Sequence, residues 1–118
     1  MAFQQEMRRQ PRVAYFEEIW IGQDGIFSQT GGHIRNISTS GVFIETTQSF
    51  ASGNVVSLRF SLGQSKELIN CSAIVRNVQP GEGFGVEFLD LSTESRGRIA
   101  MFVTGLAGPI GRVQTAGL

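Results

Sequence analysis

Val56-Ser57-Leu58-Arg59-Phe60-Ser61-Leu62 alternates apolar and polar residues without a break. A period of two puts the apolar side chains on one face and the polar ones on the other, which is the pattern of a β-strand with one wet face. The same reading extends in both directions. Upstream, residues 13–21 are rich in β-branched and aromatic residues and read as a strand with one irregularity, because Glu17 shares a face with Tyr15 and Ile19. Gly22-Gln23-Asp24-Gly25 is a turn, its Asp-Gly pair the strongest hairpin signal in the chain, and residues 26–30 are expected to pair back as a short strand before Gly31-Gly32 breaks the run. Residues 33–37 and 42–46 read as two strands around a polar turn, and residues 51–54 form the next turn.

Downstream, residues 63–66 turn the chain. Ile69, Cys71, Ala73 and Val75 then line one strand face opposite Asn70, Ser72 and Arg76. After a Pro80-Gly81-Glu82-Gly83 turn, Phe84, Val86 and Phe88 supply the inward face of a last strand. Beyond Asp90 the period changes. Ile99, Phe102, Val103 and Leu106 follow the i, i+3, i+4, i+7 spacing of an amphipathic helix. Ser92 can cap its start, Glu94 suits its positive end, and Gly105 or Gly108 is expected to end it. Short strands at regular turn spacing followed by one helix predict a mainly β protein: a small six-stranded antiparallel barrel with a C-terminal α-helix. The expected division is a flexible N-terminal segment at 1–12, barrel and helix at 13–106, and a loose tail at 107–118.

At 118 residues the chain has room for one domain and one modest core. Its 15 glycines and a charged fraction of 17% favour a turn-rich β fold over a helical bundle. Ten basic and ten acidic residues balance, where a generic nucleic-acid binder shows a basic surplus, so a polymeric nucleic-acid partner is not expected. No apolar run approaches the roughly 20 residues needed to cross a bilayer, so membrane insertion is not expected either. A polar N-terminus and a lone cysteine make a cytoplasmic location the plain expectation. With one histidine and one cysteine, neither a zinc site nor a Cys-His nucleophile pair has support. Glu17 and Glu18, adjacent on a strand, point to opposite faces, so no catalytic pair, and hence no enzyme, is expected. His33 reads as a surface residue and Cys71 as core; Trp20 fits either the core or a partner surface.

Two polar stretches remain. Arg8-Arg9-Gln10-Pro11-Arg12 places guanidinium groups in a loop, because Pro11 disfavours helix at the residue before it. Asn36-Ile37-Ser38-Thr39-Ser40-Gly41 places an amide, hydroxyls and a glycine in a turn between apolar runs. Arginine forks suit phosphates and the guanine edge that carries O6 and N7. Alone, the arginines read equally as solvated terminal charges, and the turn as an ordinary side-chain-capped one. Together they describe a pocket for an anionic guanine ligand.

With these residues in view, the chain resembles a PilZ domain, the bacterial receptor module for cyclic di-GMP. That family carries an RxxxR motif, matched here by Arg8 and Arg12, and a [D/N]xSxxG motif, matched by Asn36, Ser38 and Gly41. Gly83-Phe84-Gly85-Val86-Glu87-Phe88 followed by Leu89-Asp90-Leu91 is similar to the family's last strand and helix entry, so the resemblance runs over roughly residues 7–104. It implies a PilZ-like barrel that binds cyclic di-GMP through Arg8, Arg12, Asn36, Ser38 and Gly41, with Arg9 adding charge beside the motif. Asn36 keeps the carbonyl acceptor of the family's alternative Asp but lacks its charge. The resemblance implies no catalysis, metal or cofactor. Output would pass to a protein partner through ordering of the N-terminal loop. A ligand-independent protein-interaction module on the same barrel is the alternative.

Overall fold

A computed structural model describes residues 12–24, 26–27 and 32–116, with the backbone alone at Phe27 and at 107–116. Seven strands and one helix follow in order: β1 (Val13–Gln23), β2 (Ile26–Phe27), β3 (Gly32–Ile37), β4 (Gly41–Glu45), β5 (Val55–Ser61), β6 (Leu68–Gln79), β7 (Gly83–Phe88) and α1 (Thr93–Ala116). All pairings are antiparallel, and the neighbours run β1-β3-β4-β7-β6-β5 and back to β1. Six strands therefore close the expected barrel. β2 is a short appendage, bonded where Gly22 faces Phe27 and Gln23 faces Ile26.

The turns form where the residues called for them. Asp24 sits at φ 54°, the left-handed conformation that a two-residue hairpin requires and Asp tolerates. At the β6–β7 turn the Glu82 amide donates to the Gln79 carbonyl at 2.9 Å, with Pro80 and then Gly81 between them. Gly81 has φ 82°, as the third position of a type II turn demands.

The alternating positions meet inside the barrel. Val56, Leu58 and Phe60 from β5, Ile69, Ala73 and Val75 from β6, and Phe84, Val86 and Phe88 from β7 are all buried in one cluster with Ile34, Val42 and Ile44. Cys71 is partly buried and packs against this cluster. Ile19 and Ile21 enter it from β1, which leaves the half-buried Trp20 on the outer face opposite Arg59. Glu17 keeps its place on the inward side, half-buried between Tyr15 and Ile19, and pairing with β3 shifts register between Ala14 and Glu17, a β-bulge.

The helix closes one barrel end. Ser92 caps it as expected: its Oγ accepts from the Ser95 amide at 3.0 Å, and its carbonyl accepts from the Arg96 amide at 2.9 Å. Ile99 and Val103 enter the core. Phe102 meets Tyr15 edge-on, with ring centroids 4.7 Å apart at 70°. The Tyr15 hydroxyl donates to the Ser61 carbonyl at 3.1 Å and accepts from the Gly63 amide at 2.7 Å. Arg98 pairs with Glu67 at 3.5 Å and tethers the helix to the β5–β6 connection. Two expectations need correction. Leu106 is exposed, because the helix has passed its last core contact there. The helical backbone also continues to Ala116, beyond the Gly105 or Gly108 taken as its end. Glycine lowers helix propensity by about 1 kcal/mol but does not forbid helical φ and ψ.

Burial, with the Asp90 carboxylate adding to it, pushes the Cys71 thiol up to about 12. The fold thus disfavours the thiolate. Its contribution to stability is complete below the ordinary thiol range near roughly 8.5 and is lost as pH rises toward the folded value. At about pH 8 native protein is expected to alkylate with iodoacetamide far more slowly than denatured protein. The melting temperature should also fall less at alkaline pH in Cys71→Ala than in the parent. Equal alkylation rates in the two states would show that the thiol is not shielded.

Candidate functional site

The chain reverses between β3 and β4 through Ser38, Thr39 and Ser40. Ser38 is 1% exposed. Its Oγ accepts from the Ser40 amide at 3.1 Å and the Gly41 amide at 3.2 Å, and its own amide donates to the Gly41 carbonyl at 2.9 Å. The hydroxyl therefore acts as an internal cap that satisfies buried donors. The turn is tied to the far strand as well, since the Phe88 amide donates to the Ser40 carbonyl at 2.9 Å.

Gly41 opens β4 opposite Glu87 of β7. A Cβ at Gly41 would collide with the Val86 carbonyl oxygen. The glycine serves close approach of two backbones, and its φ is not positive. Asn36 lies in β3, paired with Ala14 on one side and Phe43 on the other, and is half-buried.

Arg12 immediately precedes β1 and is exposed. Its Nη1 donates to Asn36 Oδ1 at 2.7 Å, across 24 residues of sequence. The strand pairing makes this possible, because Val13 lies opposite Ile37 and Ala14 opposite Asn36. One residue from each polar stretch is thus in direct contact. Arg8 and Arg9, with the 1–11 part of the expected flexible segment, lie outside the described residues.

Arg35, next to Asn36, is a residue that no local motif marks. Its guanidinium donates to Glu45 at 3.1 Å and Glu82 at 3.2 Å and lies 4.5 Å from the Phe43 ring centroid. Bonds to Glu82 first and Glu45 second raise its pKa. The clamp joins β3, β4 and the β6–β7 turn. An arginine beside a motif residue was visible in the sequence; that two carboxylates 10 and 47 residues away engage it was not.

Arg12 is exposed and Asn36 half-buried. Among the described residues two concave spaces lie at the other barrel end. One of about 130 Å³ is bounded by residues 46–50 and 78–81, and one of about 480 Å³ by Ile21, Gln23, Ile26 and Phe50. β1 runs from the Asn36 end toward Gln23, so those spaces are remote from Arg12. An open face suits a ligand whose phosphates stay partly solvated, while its base edges meet fixed donors and acceptors. Among the described residues, no three His, Cys, Asp or Glu side chains gather as metal ligands, and no helix is long and apolar enough to cross a membrane.

No protein among the curated sequences matches the chain. Solved structures do. The inhibitor of motility MotI/DgrA of Bacillus subtilis superposes with a TM-score of 0.65 at 20% identity, over 80% of this chain and 48% of the other. The chain thus spans about half that protein's length. The PilZ domain of CeSA from a cellulose-synthesizing bacterium superposes with a TM-score of 0.58 at 14% identity, over 83% of this chain and 96% of the other. At such identities these matches speak for the fold alone. The PilZ domain family model matches residues 6–105, which takes in the arginine stretch, the turn, the whole barrel and the packed part of the helix. A closed six-stranded barrel, a helix over one end and a family match across most of the chain place this protein in the PilZ domain family, whose members generally serve as cyclic di-GMP-binding modules.

Proposed function

We propose that this domain is a cyclic di-GMP receptor that takes the nucleotide at Arg12, Asn36 and the 36–41 turn, with Arg8 and Arg9 joining from the preceding segment. The observation that carries the reading is the 2.7 Å bond from Arg12 to Asn36. It brings the guanidinium of one motif to the amide of the other, on an exposed face. Arg12 supplies a planar cationic fork for phosphate or the guanine Hoogsteen edge. Asn36 supplies an acceptor and a donor in the plane of a base. Ser38 and Gly41 support the site by keeping the turn rigid. The domain acts by binding and not by catalysis, it works in the cytoplasm without a cofactor, and its output passes to a protein partner.

The reading requires guanine selectivity. Adenine replaces the O6 acceptor with an amino donor, which opposes an arginine fork that only donates. Calorimetry is expected to show cyclic di-GMP binding and much weaker binding of cyclic di-AMP. Equal affinities would sink the guanine assignment. No binding of either would favour the ligand-independent interaction module.

Ligand and fold roles separate by substitution. Arg12→Ala is expected to cost about 2 kcal/mol or more of binding while leaving the ligand-free melt unchanged, because the side chain is exposed. Gly41→Ala is expected to destabilise the free protein by about 1–3 kcal/mol, because its methyl meets the β7 backbone. If Arg12→Ala lowered the melt as much as Gly41→Ala, Arg12 would belong to the fold.

Signalling follows if binding draws residues 7–12 onto the turn and so forms a composite surface. Hydrogen exchange on adding cyclic di-GMP should then show new protection concentrated at 7–12 and 36–41. Protection confined to α1 would require a different switch.

A further inference from the structure

Phe16 is an exposed aromatic on the same sheet face as Arg12. It is 68% exposed. It is also held in order, because its ring stacks on His33 with centroids 4.7 Å apart and planes within 7°. His33 lies opposite Glu18 in register, so Phe16 meets it diagonally across β1 and β3. Phe16 alternates with the half-buried Tyr15 and Glu17, which turns its ring outward, and the register shift between Ala14 and Glu17 falls at this point. His33 is exposed as well, and each ring covers one face of the other.

The ring pair has a fixed relation to Arg12 and Asn36. Arg12, just before β1, and Ala14 and Phe16 within it fall on one exposed face at alternate positions. Ala14 lies directly opposite Asn36, and its single methyl group leaves low ground between the cation and the rings. His33 is three residues from Asn36 along β3, about 10 Å at the usual rise per residue. A cyclic dinucleotide carries its two bases on opposite sides of one sugar–phosphate ring. A molecule held by one base or phosphate at Arg12 and Asn36 can therefore bring its other base to the uncovered face of the ring pair.

We infer that Phe16 and His33 form a stacking platform for the second purine of a nucleotide whose first base or phosphate sits at Arg12 and Asn36. The inference rests on the proposed reading of that site. Stacking needs only a π face, so the platform adds affinity without selecting guanine over adenine. Selectivity then belongs to Arg12 and Asn36, and affinity is shared between the two ends.

Calorimetry with cyclic di-GMP tests this on the full chain. Phe16→Ala and Phe16→Leu are both expected to weaken binding about tenfold or more, while Phe16→Tyr retains it. Leu keeps apolar bulk but has no π face, so a packing role would leave its affinity intact. The ligand-free melts of all three should match the parent. A tryptophan at the position, Phe16→Trp, should bind as well as the parent and show added fluorescence quenching on titration. Parent-like affinity in Phe16→Leu, with Arg12→Ala still impaired, overturns the platform and leaves the first site standing. Absence of cyclic di-GMP binding in the parent chain overturns both.

Discussion

β1 is bonded along its first half to β3 and along its second half to β5, and this double pairing turns a row of antiparallel strands into a closed cylinder. Closure gives every barrel strand two neighbours, and it surrounds the core on every side. A strand that serves two neighbours must be long and must bend between them. At 11 residues β1 is long enough to reach both. Its alternation sets the outer face, where Arg12, Ala14 and Phe16 are presented beside Asn36 and His33.

The helix and the motif turn share the same end of the barrel. β1 begins there, with Val13 opposite Ile37. Tyr15, three residues after Arg12, reaches the helix through Phe102 and the β5 end through Ser61 and Gly63. Burial first, and the nearby Glu17 charge last, raise the Tyr15 phenol, while the Gly63 amide bond works against them. The start of β1 is thus mechanically joined to the helix seat. On the proposed reading, a ligand held at Arg12 would act on a strand that also packs against α1.

The turn between β3 and β4 shows how one motif can serve fold and site together. Ser38 is buried and satisfies turn amides, and Gly41 lets two backbones meet. Neither presents a polar side chain to solvent in this arrangement. In the proposed binding role they would hold Asn36 and the turn backbone in place before a ligand arrives.

Strand positions, turn positions, the helix cap at Ser92 and the core list were legible because each depends on neighbours within a few residues. Period two selects the buried face, left-handed φ selects Asp24 and Gly81, and a hydroxyl before a helix caps it. The paired motifs were legible for a related reason: their residue types are unusual in combination. Other features depend on residues brought together from afar, and no local pattern encodes them. The Arg35 clamp, the Tyr15 bridge and the stack of Phe16 on His33 all join different strands. Helix length beyond Gly105 was likewise not readable from local propensity. By itself the sequence determined which residues face inward and where the chain turns, because those follow from short-range geometry and the avoidance of water by apolar groups. Only the tertiary structure decided which outward-facing residues stand together, because barrel closure and the β1 bulge set the register between strands, and register determines what lies beside Arg12 and Asn36.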